Sequence, residues 1–397
     1  MMNRFDEVIN RTGTNAVKWD QIKAVFGVED ALPMWVADMD FAAPEAVQQA
    51  LVEQAKHGVY GYTAIPDSTK EAIAGWMANR HGWTIHTDWL LFQHGVVPSL
   101  GTAIEAFTDL GDSVLLQSPV YTPFFNMIEK NGRLVVNSEL ILRGNHYEID
   151  FDDFEEKAAR EEVKLFLLCS PHNPGGRVWT KEELTRLAEI CQKHNVLIVS
   201  DEIHGDLTAE PHKHTPIASI KEEFQDVVIT CIAPSKTFNL AGLQASAMIV
   251  PNKAIRAKLQ GVLAKHGFFT LNMMGVAGME AAYREGGPWL DELISYIRGN
   301  VQLVKEFVER ELPELTVIEP QASYLIWIDC RKLGLSDENL MKKLLMKGKL
   351  ALNQGSSYRS GGEGFMRMNV GCPRSIVEDG LQRLKKALSP SASQDEE

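Results

Sequence analysis

Between residues 89 and 232 the chain alternates short apolar runs with stretches of helical period, and this pattern restricts its fold more than any other feature. Residues 89–93, 114–117, 164–169, 196–200 and 227–232 each supply a strand's length of mainly apolar side chains. The stretch 98–108 places Leu100, Ile104 and Phe107 on one helical face, and 181–195 reads as a second helix. Thr180 is the expected N-cap of that helix, with Glu183 completing a capping box. Strand–helix alternation of this kind predicts an α/β fold with a mostly parallel sheet. The run VLIVS at 196–200 is apolar on both faces, as a strand covered on both sides must be. Residues of about 50–285 are expected to form a large α/β domain. Residues 1–49 and 286–388 form a smaller α+β one, and 389–397 a solvated tail.

Charge narrows the partners. Lys plus Arg number 40 against 53 for Asp plus Glu, a formal net charge of −13. Binding to nucleic acid or to an anionic membrane needs excess positive charge, so neither is expected. The five cysteines (169, 191, 231, 330 and 372) are odd in number and widely spaced, which argues against a disulfide framework. No run approaches the ~18 apolar residues of a membrane span, and the first residues carry no apolar signal core. A cytoplasmic protein is the expectation.

In open α/β sheets ligands sit beyond the carboxyl ends of the strands. His94, Gly95, Val96 and Val97 follow the first run, and the tetrad SPVY, ending in Tyr121, follows the second. SPHNPGG, with Asn173, follows the third; Asp201 to His204 follow the fourth; APSKT, with Ser235 and Lys236, follows the fifth. Taken singly, each piece reads as a solvated lysine, a turn-capping aspartate or ordinary turn chemistry. Taken together, they bring a helix N-terminus, an aromatic ring, an amide, a carboxylate and a lysine to one rim. Pyridoxal 5′-phosphate needs those groups: a lysine for its Schiff base, an acid for its ring nitrogen, donors for its phosphate and a flat partner for its ring.

The order of Asn173-Pro174, Asp201 and Ser235-Lys236 is similar to that of the aspartate-aminotransferase superfamily, fold type I of the pyridoxal-phosphate enzymes. Within it, the chain resembles the MalY/PatB group of cystathionine β-lyases, or cysteine C–S lyases. The resemblance is carried by WVADMDF (35–41), HGVYGY (57–62), SPHNPG (170–175), SDEIH (200–204), APSKTFN (233–239), GFMRMN (364–369) and GCPR (371–374), and spans about 3–388.

The resemblance implies that Lys236 bonds to the cofactor and moves the substrate Cα proton, while Asp201 pairs with the ring nitrogen. Asn173 would bond the 3′ oxygen, Tyr121 would stack on the ring, and Val96, Val97 and Ser235 would hold the phosphate. Tyr62 matches a tyrosine that reaches the phosphate from a neighbouring subunit, implying a homodimer with composite sites. Arg367 matches the arginine that grips the substrate α-carboxylate. The strand reading agrees in part, because Arg367 and Asn369 share one face of 365–370, opposite Met366, Met368 and Val370.

Three positions depart from the aminotransferase pattern: His204 replaces a tyrosine near the 3′ oxygen, Gln244 a phosphate-binding arginine, and Ala233 a serine. The His204 change agrees with the β-lyase group. The expected activity is therefore β-elimination from L-cystathionine or other S-substituted L-cysteines, giving pyruvate, ammonia and a thiol. An aminotransferase, or a regulatory binder on the same fold, is the alternative. His212 and His214 have H-x-H spacing but lie in a Pro/Thr-rich stretch read as a surface loop, so no metal is expected.

Overall fold

The apolar runs become strands of one seven-stranded sheet in the computed structural model, which describes residues 3–389. The strands are β1 (Leu90–Gln93), β2 (Ser113–Leu116), β3 (Leu134–Asn137), β4 (Val163–Cys169), β5 (Leu197–Asp201), β6 (Val228–Ile232) and β7 (Ser246–Ile249). Their order is β1-β7-β6-β5-β4-β2-β3. Neighbours from β6 to β3 pair in parallel, while β7 is antiparallel to both β6 and β1. Because β7 reverses twice, β1 runs with the parallel set. The carboxyl ends of β1, β2, β4, β5 and β6 thus open on one edge.

Helices pack on this sheet because their apolar stripes match its faces. Those that bear on function are α1 (Asp67–His81), α2 (Val96–Phe107), α3 (Lys181–Lys193) and the short α4 (Pro234–Thr237). Leu100 and Ile104 of α2 share a buried cluster with Leu116, Leu167, Val199, Ile229 and Met248 of the strands. Helix α2 starts two residues before the expected 98. Pro98 occupies its third position, where the missing N–H has no intrahelical acceptor to lose. The capping box of α3 forms as expected, with Glu183 N–H donating to Thr180 Oγ1 at 3.1 Å and Thr180 N–H to Glu183 Oε2 at 2.7 Å. The helix stops at Lys193, and Asn195 takes a left-handed conformation.

Contacts divide the described chain into two compact units. Ala42–Ile294 with Gln321–Ser323 form the unit built on the seven-stranded sheet. The described residues up to Phe41, Ser295–Pro320 and those from Tyr324 onward form the other. Its antiparallel sheet has strands β8 (Thr316–Val317), β9 (Leu325–Asp329), β10 (Asn353–Gln354) and β11 (Phe365–Asn369), in the order β8-β9-β11-β10. Of the tail expected at 389–397, residues 390–397 lie outside the described residues. Among the described residues no helix is long and apolar enough to cross a membrane.

Candidate active site

Asp201 is the last residue of β5, in register between Cys169 of β4 and Cys231 of β6. Its side chain is buried, and its Oδ1 accepts a hydrogen bond from Ile203 N–H at 3.1 Å. Burial pushes the carboxyl up to about 7, although the Ile203 N–H and the charge of Lys236 both act against that rise. An acid in this state matches a cationic ring nitrogen, which would restore its ionised form.

The neighbouring loops are tied to this strand end. Asn173 N–H donates to Cys169 Sγ at 3.3 Å, and its carbonyl accepts from Tyr121 N–H at 3.1 Å. That bond holds the loop after β2 against the loop after β4. His204 is buried three residues beyond Asp201, and Tyr121 is half-buried.

At the sheet's other side Gly95 begins α2 with φ 133° and ψ 163°, and no side chain caps the helix. A side chain at that φ would be strained, so the turn needs glycine. Gly95 N–H donates to Ser246 Oγ at 3.2 Å, and that hydroxyl donates to Gln93 O at 3.0 Å. The turn is therefore fixed by β7, leaving the N–H groups of Val96 and Val97 at a helix start that favours an anion. This cradle suits the phosphate expected there.

Lys236 and Ser235 lie on α4, both half-buried. Pro234 starts that turn, and Phe238 closes it with a fully buried ring among Trp76, Tyr283 and Trp289. Thr237 Oγ1 donates to Asp206 Oδ2 at 2.7 Å.

One sheet rim thus carries Val96, Val97, Tyr121, Asn173, Asp201, His204, Ser235 and Lys236. Tyr62 stands apart: it is 99% exposed, with its ring edge-on to Phe269, itself an exposed residue. Arg367 belongs to the other unit, on β11. Its Nη2 donates to Trp35 O at 2.7 Å, and the guanidinium lies 5.5 Å from the Tyr358 ring centroid. The polar face shared by Arg367 and Asn369 meets backbone carbonyls, since Asn369 Nδ2 donates to Val36 O and Asp38 O.

The sequence reading missed a polar group bonded to Thr237, the residue after Lys236. Asp206, Trp76 and His81 form one bonded set, and Glu202 and His214 another. His214 is a correction: expected in a surface loop, it is buried against Glu202. Two acidic residues, Glu202 and Asp206, bracketing His204 just after the run 196–200 were the available signal.

Comparison with known proteins gives a consistent picture. The family model for aminotransferase class I and II matches residues 30–384. The chain is 52% identical over 385 residues to the cystathionine beta-lyase PatB of Bacillus subtilis (strain 168), covering 97% of this chain and 100% of PatB. It is 33% identical over 386 residues to the MalY protein of Escherichia coli (strain K12), covering 97% and 98%. The crystal structure of cystalysin from Treponema denticola, which contains a pyridoxal 5′-phosphate cofactor, matches with a TM-score of 0.95 at 36% identity, covering 98% and 99%.

Proposed function

The chain belongs to the aminotransferase class I and II family, and from that premise we propose that it is a pyridoxal 5′-phosphate-dependent C–S β-lyase. Its substrates are L-cystathionine and other S-substituted L-cysteines, and its products pyruvate, ammonia and a thiol. The observation that carries this reading is a buried Asp201 at the end of β5 and a half-buried Lys236 just beyond the adjacent β6, in a chain whose curated relatives include cystathionine β-lyases.

When bound, the cofactor supplies an electron sink for the negative charge that develops at the substrate Cα. Asp201 would hold the ring nitrogen protonated, and Asn173, His204 and Tyr121 would orient the ring. The amides of Val96 and Val97, with Ser235, would hold the phosphate. Lys236 would hold the cofactor, and its amine would take the substrate Cα proton. Arg367 grips the α-carboxylate through its planar fork. A thiolate leaves readily from Cβ, so the chain's main task is orientation.

The protein is also proposed to work as a cytoplasmic homodimer. Val59, Tyr60, Tyr62 and Phe269 expose apolar surface that a second copy would cover, with Tyr62 reaching its partner's phosphate site. All five cysteines are free and buried, as suits a reducing compartment.

Purified protein loaded with cofactor is to be incubated with L-cystathionine and no keto acid, following pyruvate and free thiol together. Equal yields of both establish β-elimination. Silence there, with amino transfer on adding a keto acid, overturns the lyase reading in favour of an aminotransferase.

A further inference from the structure

Behind the rim, Asp206 collects three donors. Its Oδ2 accepts from the Thr237 hydroxyl at 2.7 Å. Its Oδ1 lies 2.9 Å from Trp76 Nε1 and 2.7 Å from His81 Nε2. A carboxylate can only accept from these groups, so His81 carries its proton on Nε2. Burial works against the charge of Asp206, but His81, Thr237 and Trp76 outweigh it and hold the carboxyl below its ordinary range.

A second pair lies against the first. His214 Nε2 is 2.8 Å from Glu202 Oε2, and the other Glu202 oxygen accepts from the Ser200 hydroxyl at 2.8 Å. The His81 and His214 rings meet edge to face, with centroids 5.6 Å apart. Gly205 permits that approach, since a Cβ there would lie 2.8 Å from His214 Cδ2.

The segment from Asp201 to Asp206 is therefore pinned at two points, Glu202 and Asp206. The second pin reaches across to Thr237, the residue after Lys236. The groups expected to meet the cofactor's ring nitrogen and to bond the cofactor are thus referenced to one polar unit. Charge-assisted hydrogen bonds fix distance and direction in a way that apolar packing does not.

We propose that Asp206 is a positioning residue for the reaction, which sets Lys236 through the Thr237 hydroxyl while the His81 and His214 pairs hold Asp206 in place. The inference rests on the lyase reading above. Packing of Phe238 alone would bury α4; the added bond from Thr237 fixes where the lysine backbone sits.

The test compares holoenzymes carrying Thr237→Val, Thr237→Ser and Asp206→Asn with the unsubstituted protein. Visible circular dichroism of the bound cofactor, kcat and KM for L-cystathionine, and melting temperature are read on each. Thr237→Val keeps the shape and loses the hydroxyl. It is expected to lower kcat roughly tenfold or more with KM changed less than about twofold, and to alter the visible dichroic band. Thr237→Ser is expected to recover both, and Asp206→Asn to resemble Thr237→Val. Should Asp206→Asn fail to fold, the valine–serine pair decides. A Thr237→Val enzyme with normal kcat and dichroism, or with only a lower melting temperature, overturns the proposal. If the unsubstituted protein shows no cofactor band, the lyase reading falls and this inference with it.

Discussion

Lys18 Nζ lies 2.6 Å from Asp40 Oδ2, with 1% and 4% of the two side chains exposed. The other Asp40 oxygen accepts from Arg11 Nη1 at 2.7 Å and Trp19 Nε1 at 2.9 Å. Arg11 also spans both oxygens of Asp38. These bonds set the path of 38–40, next to the carbonyls that Arg367 and Asn369 hold. Asp40→Ala leaves a buried ammonium facing the more distant Asp38, whose Oδ1 lies 3.8 Å away, and the expected loss of stability is about 3–5 kcal/mol. Denaturant midpoints measure it, and a change under about 1 kcal/mol would show that water or Asp38 replaces the lost partner.

Arg367 should be sensitive to a change that keeps its charge. Its guanidinium is oriented by Trp35 O and lies beside Tyr358, whereas an ammonium is a point charge without the fork. Arg367→Lys is expected to lower kcat/KM for L-cystathionine by roughly 10–100-fold. The visible absorbance of bound cofactor should stay unchanged. Equal activity of the two proteins would remove Arg367 from carboxylate binding.

Burial gives Asp201 and His172 opposite effects on stability against pH in cofactor-free protein. Burial raises the Asp201 carboxyl from 3.8 to about 7, so the folded state binds its proton more tightly than the unfolded one. Stability from this group is present at low pH and is lost as pH rises from about 4 to 7, by up to about 4 kcal/mol. Burial lowers the His172 imidazole from 6.5 to about 3, so its contribution is lost as pH falls from 6.5 through 3. The two slopes oppose each other between about pH 4 and 6.5. Asp201→Asn should leave the His172 slope exposed, with stability climbing across that window. Parallel curves for the two proteins would mean that Asp201 titrates as an exposed acid.

The strand ends were legible because a strand buried on both faces reads as an uninterrupted apolar run, and VLIVS points directly to Asp201. Each hydrogen-bonded parallel neighbour then adds its own loop to the same edge. Contacts between distant segments were not legible. Ser246 supports Gly95 from 151 residues away, on a four-residue strand. The Asp206–Thr237 bond spans 31 residues, and each partner alone resembles a surface polar group. His214 was misread for a related reason: its polar neighbours suggest solvent, while its partner Glu202 lies twelve residues earlier. Helix α2 begins at Val96, before the expected 98, because the first turn tolerates Pro98.

Gly95 offers a last prediction, because its backbone angles and the anion cradle are one feature. With φ at 133°, an alanine there is strained by about 1–3 kcal/mol and can relax only by turning the peptide that leads to Val96. That movement would re-aim the two amides assigned to the phosphate. Gly95→Ala is therefore expected to weaken retention of pyridoxal phosphate about tenfold or more, read from its dissociation rate on dilution. Gly75, inside α1, is the contrasting case: a Cβ there meets nothing within 4 Å, and its φ is not in the positive range. Gly75→Ala should leave cofactor retention unchanged and raise stability by about 0.5–1 kcal/mol through helix propensity. If both variants release cofactor at the unsubstituted rate, the phosphate is held elsewhere than at the start of α2.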